Sequence, residues 1–428
     1  MKVLVISHNS FSKSSNNGKT LEAVFSKFPR DSIYQLFFNE SEEPDWDFSS
    51  KYFKITDKAI INRRFIFGKK PGEIVQKKLE IESKVSSSHL NSNNYSRNLL
   101  LSIRDVLWYL TNSKLNKLYY WLNKEQIDVV FFTGGDSIFS HRIAINISKT
   151  LKIPLCVYFT DDYILYPQQK TILDKIRLIY LKKQYKNTIS NAVTCFAIGD
   201  SMATEYQNYF KKNFTPLMNC IDISEKNFFN LDDNIIISYF GGLHLDRDLM
   251  ILRLGKILLN ISENSIFKFQ LNIYSSQLPS DSMSKNYQNY GINYCGFVNS
   301  NDLIDKMRKT DFLLHVESDS DYYKSLTRLS VSTKIPEYLI SSRPIIAFGP
   351  LEVASFKVLI DNNLATIISS EMNDTLIAEN ILQVLNNRNL LSKQVDNAYN
   401  FALENFNKEK NSSILQQKLQ QIVYENTK

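Results

Sequence analysis

The chain of 428 residues is too long for one ordinary core and suits two domains of roughly 200 residues each. With 43% hydrophobic and 22% charged residues it reads as folded, which excludes a disordered or fibrous protein. Charge is shared unevenly: residues 1–220 hold 31 Lys+Arg and 20 Asp+Glu, and residues 221–428 hold 20 and 24. Within the first half, residues 51–97 carry 11 basic and 4 acidic side chains. Such a stretch serves as a solvated face or as a contact to anionic lipid headgroups. Nucleic acid is not implied, because no recognition-helix or RNA-binding signature accompanies the charge. Cys156, Cys195, Cys220 and Cys295 are scattered, which argues against a zinc site and a disulfide framework and suits a reducing cytoplasm. No run of eighteen apolar residues is present, and the chain goes straight into a strand without an apolar leader. The expectation is a cytoplasmic protein, soluble or peripheral on the inner face of the plasma membrane.

Strand-length apolar runs occur at Val3–Ile6, Ile33–Phe38, Val129–Phe132, Leu155–Phe159 and Val193–Ile198. Helical periodicity falls at Thr20–Phe28, Leu99–Leu122, Ser137–Leu151, Ile172–Tyr185 and Ser201–Phe210. The segment Thr56–Asn98 breaks the rhythm and reads as a basic insertion or loop. The alternation pauses at Phe214–Asn234 and restarts. Strands are expected at Ile235–Phe240, Phe267–Tyr274, Phe312–Val316, Ile345–Phe348 and Ala365–Ile368. Helices are expected at Leu249–Leu259, Asp302–Arg308, Lys334–Ile340, Thr375–Leu385, Ser392–Glu404 and Ser412–Tyr424. Uniformly apolar short strands alternating with amphipathic helices predict an α/β protein of two tandem, Rossmann-like doubly wound domains facing across a cleft. The boundaries expected are 1–220, 221–400 and a terminal helical segment 401–428 that packs back toward the first domain. Open parallel sheets bind ligands at the carboxyl ends of their strands.

Gly18-Lys19-Thr20 follows the first strand and resembles the end of an ATP-binding phosphate loop, but Lys13 stands where that loop needs its first glycine. No G-x-G-x-x-G follows any strand, which removes the dinucleotide-binding turn. The second half instead opens with ISYFGGLHLDRDL. Gly241 and Gly242 admit close approach of a diphosphate to the backbone, and Arg247 at the helix start supplies a bidentate cation. In RLSVSTKIPEYLISSRPIIAFG, Ser332 and Thr333 are candidate helix caps. Lys334 is placed for phosphate, and Glu337 for the two hydroxyls of a ribose. Asp319-Ser320-Asp321 and Asp45-Trp46-Asp47 match the D-x-D with which single-domain transferases hold a metal, but such triplets are frequent by chance. The histidines are too dispersed for a metal cluster, so none is expected. His8 and His315 fall at strand ends, where either could line a site or simply be packed.

In the order of these parts the sequence resembles the glycosyltransferases of the two-Rossmann (GT-B) fold, the group 1, family 4-like enzymes of bacterial envelope polysaccharide synthesis. KVLVIS…NNGKT is similar to their first strand and glycine loop, PLCVYFTDDY to an acceptor-side strand, and PLMNCID to the interdomain N-G-[IV]-D. ISYFGGLHLDRDL resembles the donor glycine turn, YCGFVNSNDLIDKMRKTDFLLHVES the following strands, and STKIPEYLISSRPIIA the donor helix. The resemblance implies transfer from a UDP- or GDP-type sugar donor, without cofactor or metal and with retention, to a hydroxyl of a glycan or lipid-linked acceptor of capsule, O-antigen or lipopolysaccharide type. It implies donor contacts from Gly18, Lys19, Gly241, Gly242, Arg247, Arg328, Ser332, Thr333, Lys334 and Glu337, and catalytic or acceptor-side roles for Asp136, Asp161 and Asp162. The sequence departs from the pattern in three places. Leu329 stands eight residues before Glu337 where the family often has an acid, and Glu317 is no obvious replacement. The usual Arg…Lys pair is reduced to Arg247. Asp161 replaces a histidine. A sugar-nucleotide 2-epimerase of the same fold and a non-catalytic nucleotide-sugar-binding scaffold remain as alternatives.

Overall fold

The structure, a computed structural model, describes residues 1–12, 16–65, 71–77, 94–111, 115–167 and 171–427. It divides into two units, Met1–Leu217 with Ser412–Lys428, and Met218–Asn411.

The sheet of the first unit contains β1 (Val3–Ser7), β2 (Ile33–Phe37), β3 (Lys51–Lys54), β4 (Glu73–Ile74), β5 (Val129–Gly134), β6 (Leu155–Phe159), β7 (Thr194–Ala197) and β8 (Phe214–Pro216). Their order is β4-β3-β2-β1-β5-β6-β7-β8. All neighbours are parallel except β3 and β4. β1, β2 and β6 are buried at every residue, as strands covered on both faces must be. Helices Ile138–Leu151, Ile172–Asn191 and Gly199–Phe210 make the crossovers from β5 onward. The terminal helix Lys408–Asn426 adds to this unit: Ser412 is fully buried and its Oγ accepts the Lys27 N–H at 2.9 Å, while Lys418 Nζ donates to Thr215 Oγ1 at 2.7 Å.

The second sheet contains β9 (Asn234–Phe240), β10 (Lys268–Tyr274), β11 (Ile292–Tyr294), β12 (Phe312–Val316), β13 (Ile345–Gly349) and β14 (Thr366–Ser369), in the order β11-β10-β9-β12-β13-β14. Every neighbouring pair is parallel. Its two faces are covered by separate apolar clusters, one around Ile237, Leu254 and Leu314, the other around Leu313, Leu339 and Phe356. In both units the chain order reverses beside the first strand, between β1 and β5 and between β9 and β12. Those are the points where an open sheet leaves a crevice at its carboxyl edge.

Several expected elements differ. Gly18, Lys19 and Thr20 lie inside a helix, Asn16–Val24, and not in a loop preceding one; a glycine inside a helix costs only about 1 kcal/mol. The expected helix Leu99–Leu122 is two, Asn94–Thr111 and Asn116–Glu125. The expected basic loop holds a helix, Asp57–Phe65, and β4; Trp108 Nε1 donates to Asp57 Oδ1 at 2.6 Å and ties that helix down. Residues 66–70 and 78–93 of that stretch lie outside the described residues.

Candidate active site

In the first unit the loops after β1, β5 and β6 enclose a pocket of about 140 Å³. His8 and Asn9, Gly134 to Ser137, and Thr160, Asp161 and Tyr163 line it, with Asn17 from the first helix. Neither Gly18 nor Lys19 is part of its lining; Gly18 is buried in the helix and Lys19 is half-buried. The wall of Asp136 is braced from behind. Arg177 Nη2 donates to the Asp136 carbonyl at 2.6 Å and stands 4.0 Å from its carboxylate, and Arg104 Nη2 donates to Ser137 Oγ at 3.0 Å. His141 is fully buried, its Nε2 3.0 Å from the Gly135 carbonyl, which can only accept. Burial pushes its pKa down to about 4, so a neutral imidazole holds the glycine turn.

Asp161 and its neighbour Asp162 part company. Asp161 faces the pocket. Asp162 is buried, and its carboxylate accepts the N–H groups of Ile164, Leu165 and Tyr166 at 3.1–3.2 Å and the Tyr206 hydroxyl at 2.8 Å. That carboxylate shapes the turn after β6, because its lone pairs are already engaged. His8, which the sequence places only at a strand end, contributes to the pocket wall. The ring keeps access to solvent, but partial desolvation by the surrounding loops, and secondarily Arg104, lower its pKa from 6.5, against the opposing pull of Asp136, Asp57 and Glu42. A neutral histidine beside Asp136 and Asp161 can accept a proton near neutral pH.

In the second unit the turn after β9 carries Gly241 and Gly242 and leads through Leu245 and Asp246, both left-handed, into helix Arg247–Asn264. Arg247 does not point into open solvent. Its Nη2 donates to both oxygens of Glu317, at 2.9 and 3.1 Å, and Glu317 is only 2% exposed. Burial alone would lower the Arg247 pKa, but Glu317 outweighs it and the net shift is upward. His315, two residues back near the end of β12, places Nε2 3.8 Å from Glu317. Burial, with help from Arg247, pushes its pKa down to about 4 although Glu317 pulls the other way, so the ring is neutral and the contact is not an ion pair. Gly349 at the end of β13 closes the group: a Cβ there would sit 2.8 Å from the Glu317 carbonyl, a backbone atom that cannot swing aside.

Lys334 and Glu337 are joined, Nζ to Oε2 at 3.0 Å, with Glu337 buried and Lys334 partly exposed. They sit at the start of the short helix Ile335–Ile340. Tyr338 ties that helix to the crevice: its hydroxyl accepts the Phe240 N–H at 3.0 Å and donates to the Leu314 carbonyl at 3.1 Å. The bonds reach β9 and β12, the strands that lead into Gly241 and Glu317, so the pairs Arg247–Glu317 and Lys334–Glu337 are both tied to the strands of one switch point. Ser332 and Thr333 do not cap the helix as expected. Lys334 takes the cap position with helical dihedrals and no side-chain cap bond, and Ser332 Oγ only weakly accepts the Lys334 N–H at 3.4 Å. Arg328 closes the preceding helix Asp321–Thr327, where its carbonyl accepts the Ala354 N–H at 2.8 Å. Leu329 is buried apolar core, so no carboxylate stands there; Glu317, immediately after β12, is the acid that meets Arg247. Of the two D-x-D triplets, Asp321 pairs with Lys324 at 3.0 Å and Asp45 accepts its own turn's N–H from Asp47 at 2.8 Å. Among the described residues no group of three or more His, Cys, Asp or Glu is arranged to hold a metal ion.

No protein-family model and no curated protein sequence matches the chain. Solved structures do. HepE from Anabaena, solved with UDP, superposes with a TM-score of 0.61 at 11% identity, over 98% of this chain and all of its own. Sucrose-phosphate synthase from Thermosynechococcus elongatus gives the same TM-score and identity over 98% of both chains. WaaG, a glycosyltransferase of lipopolysaccharide biosynthesis, gives 0.56 at 13% identity over 96% and 99%.

The chain has the GT-B fold.

At these identities the likeness extends to the order and pairing of strands and not to individual side chains. The GT-B fold therefore accounts for the two tandem sheets, each reversing its strand order beside its first strand, while the chemistry rests on the residues just described.

Proposed function

We propose that the protein is a glycosyltransferase that moves a sugar from a nucleoside diphosphate sugar to a hydroxyl of a glycan or lipid-linked glycan, retaining configuration without a metal. The donor rests on the second unit. Glu337 accepts the ribose hydroxyls, and Lys334, the Gly241-Gly242 turn and the backbone at Ser332 and Thr333 hold the diphosphate. Arg247, at the first position of its helix, exchanges its bond to Glu317 for a phosphate oxygen as charge builds on the leaving group; deleting one such donor costs about 3–4 kcal/mol of transition-state stabilisation. Arg328 stays a donor-side candidate, and Gly18 and Lys19 remain assigned to the donor by resemblance only. The acceptor hydroxyl enters the first unit's pocket, where Asp136 or Asp161 orients it and neutral His8 is positioned to take its proton. Asp162 shapes the loop that carries Asp161.

One observation carries this reading: Tyr338 ties the helix of the Lys334–Glu337 pair to β9 and β12, the two strands that lead into the glycine turn and Glu317. The fold shared with HepE, solved with UDP and with UDP-glucose, supports it. WaaG and the TarM structure that contains α-GlcNAc-glycerol and UDP support an envelope-glycan acceptor. The test is release of nucleoside diphosphate from a panel of UDP- and GDP-sugars, with and without a lipid-linked glycan. Release only with acceptor supports transfer; a new sugar isomer without acceptor, or binding without turnover, contradicts it.

A further inference from the structure

Helix Ile172–Asn191 is apolar on both sides. Leu178, Leu181, Tyr185 and Ile189 face the core, yet Ile172 and Ile179 are 76% and 67% exposed and Ile176 is exposed between them. A helix that is apolar all round is normally buried. At helical spacing Ile172, Ile176, Ile179, Lys183 and Lys186 share one outward stripe, apolar in its first two turns and cationic in the next. The helix has a single acid, Asp174, and the capping box with Thr171 engages it.

Two concavities flank the stripe. A groove of about 480 Å³ runs along its apolar half, where Val106 and Tyr109 of helix Asn94–Thr111 meet Leu173, Ile176 and Tyr180. A hollow of about 790 Å³ lies along its cationic half, lined by Lys182, Lys183, Lys186, Lys211 and Lys212, with no acidic side chain in the lining. Aromatic rings seat the cations at both borders: Arg142 stands 4.5 Å from the Tyr109 ring and Lys182 5.9 Å from that of Tyr209.

We propose that this face of the first unit docks on an anionic lipid bilayer. The isoleucines and tyrosines enter the boundary between headgroups and acyl chains, and the lysines meet lipid phosphates. The chemistry selects this occupant. A second copy would bring the same five lysines to the contact, and a nucleic acid would leave the isoleucine half uncovered. A bilayer presents an apolar layer beneath an anionic one, in the order the helix requires. The surface lies outside the basic stretch 51–97. It also adjoins the pocket, since Arg177, which lines the groove, donates to the Asp136 carbonyl. The inference stands apart from the sugar-transfer reading, because vesicle binding needs no turnover.

The test is flotation of the full chain with phosphatidylcholine vesicles, pure or one-third phosphatidylglycerol, at low and high salt. Wild type is expected to float with the anionic vesicles and to lose that preference at high salt. Replacing Lys182, Lys183 and Lys186 together by Gln should weaken binding about a hundredfold. Replacing Ile172, Ile176 and Ile179 together by Ser should weaken it about tenfold or more. Both triple variants should stay close to the wild-type melting temperature, since five of the six side chains are exposed and Lys182 is only half-buried. Absence of wild-type binding, equal binding to neutral vesicles, or binding untouched by either triple overturns the proposal. So does a concentration-dependent dimer that the isoleucine triple dissolves in the absence of vesicle binding, which would make the face a contact between copies.

Discussion

The two switch points solve one topological problem with opposite electrostatics. At the carboxyl edge of the first sheet, Asp136, Asp161 and His8 line a small pocket. At the carboxyl edge of the second, the strongest charges are already matched, Arg247 with Glu317 and Lys334 with Glu337, and both carboxylates are buried. A site that receives a neutral hydroxyl needs an available base. A site that receives a diphosphate needs cations held in place until the anion arrives, and a buried carboxylate holds them. Under the proposed function, this difference fits acceptor chemistry in the first unit and donor chemistry in the second.

The largest expected effect comes from breaking the second unit's matching. Glu317→Ala leaves the Arg247 guanidinium buried without its acid and should destabilise the protein by about 3–5 kcal/mol, read as a lower midpoint in urea. The first unit should tolerate its own carboxylate changes unequally. Asp162→Ala removes the acceptor of three N–H groups and a tyrosine hydroxyl and should lower stability by about 1–3 kcal/mol, whereas Asp161→Asn should keep the melting temperature and lose turnover. Equal effects of the two would erase the distinction drawn between these neighbours.

Acid should loosen both units. His141 and His315 have folded pKa values lowered to about 4, below the ordinary 6.5. Their protonation therefore favours the unfolded chain. The stability they contribute is complete above pH 6.5 and disappears as pH falls toward 4, by about 3 kcal/mol for each at most. Denaturant titrations across that window should show the loss, and His141→Asn should reduce its pH dependence. The smallest effect sharpens the acceptor side. With His8 as base, kcat/KM should fall as pH drops through a pKa below 6.5, and His8→Ala should flatten that limb.

Much of the architecture was legible because both sheets are buried on both faces. β6 and β12 match their expected bounds to the residue, and β1, β5 and β9 within two. Elements with weak apolar signal were not legible. β3 is flanked by lysines, β11 is only Ile292–Tyr294, and helix Asp281–Asn289 buries just Met283 and Tyr287. The helices Asp321–Thr327 and Ala354–Asp361 were likewise unexpected. At the site, spacing along one helix revealed Lys334 with Glu337, whereas Arg247 with Glu317 joins residues 70 apart in sequence, which only the sheet order brings together. His8 is visible as a strand-end residue, but its neighbours Asp136 and Asp161 come from the loops after two other strands, and Tyr338 is not distinguishable in the sequence because a buried tyrosine in an apolar run reads as core.

Equilibrium titration of UDP and of GDP into wild type, Glu337→Ala and Asp161→Asn tests most directly whether the second unit holds the nucleotide. One of the two nucleotides should bind wild type, bind Glu337→Ala about tenfold more weakly or worse, the equivalent of 1.4 kcal/mol, and bind Asp161→Asn unchanged. Undiminished binding to Glu337→Ala, or a loss confined to Asp161→Asn, would contradict the assignment.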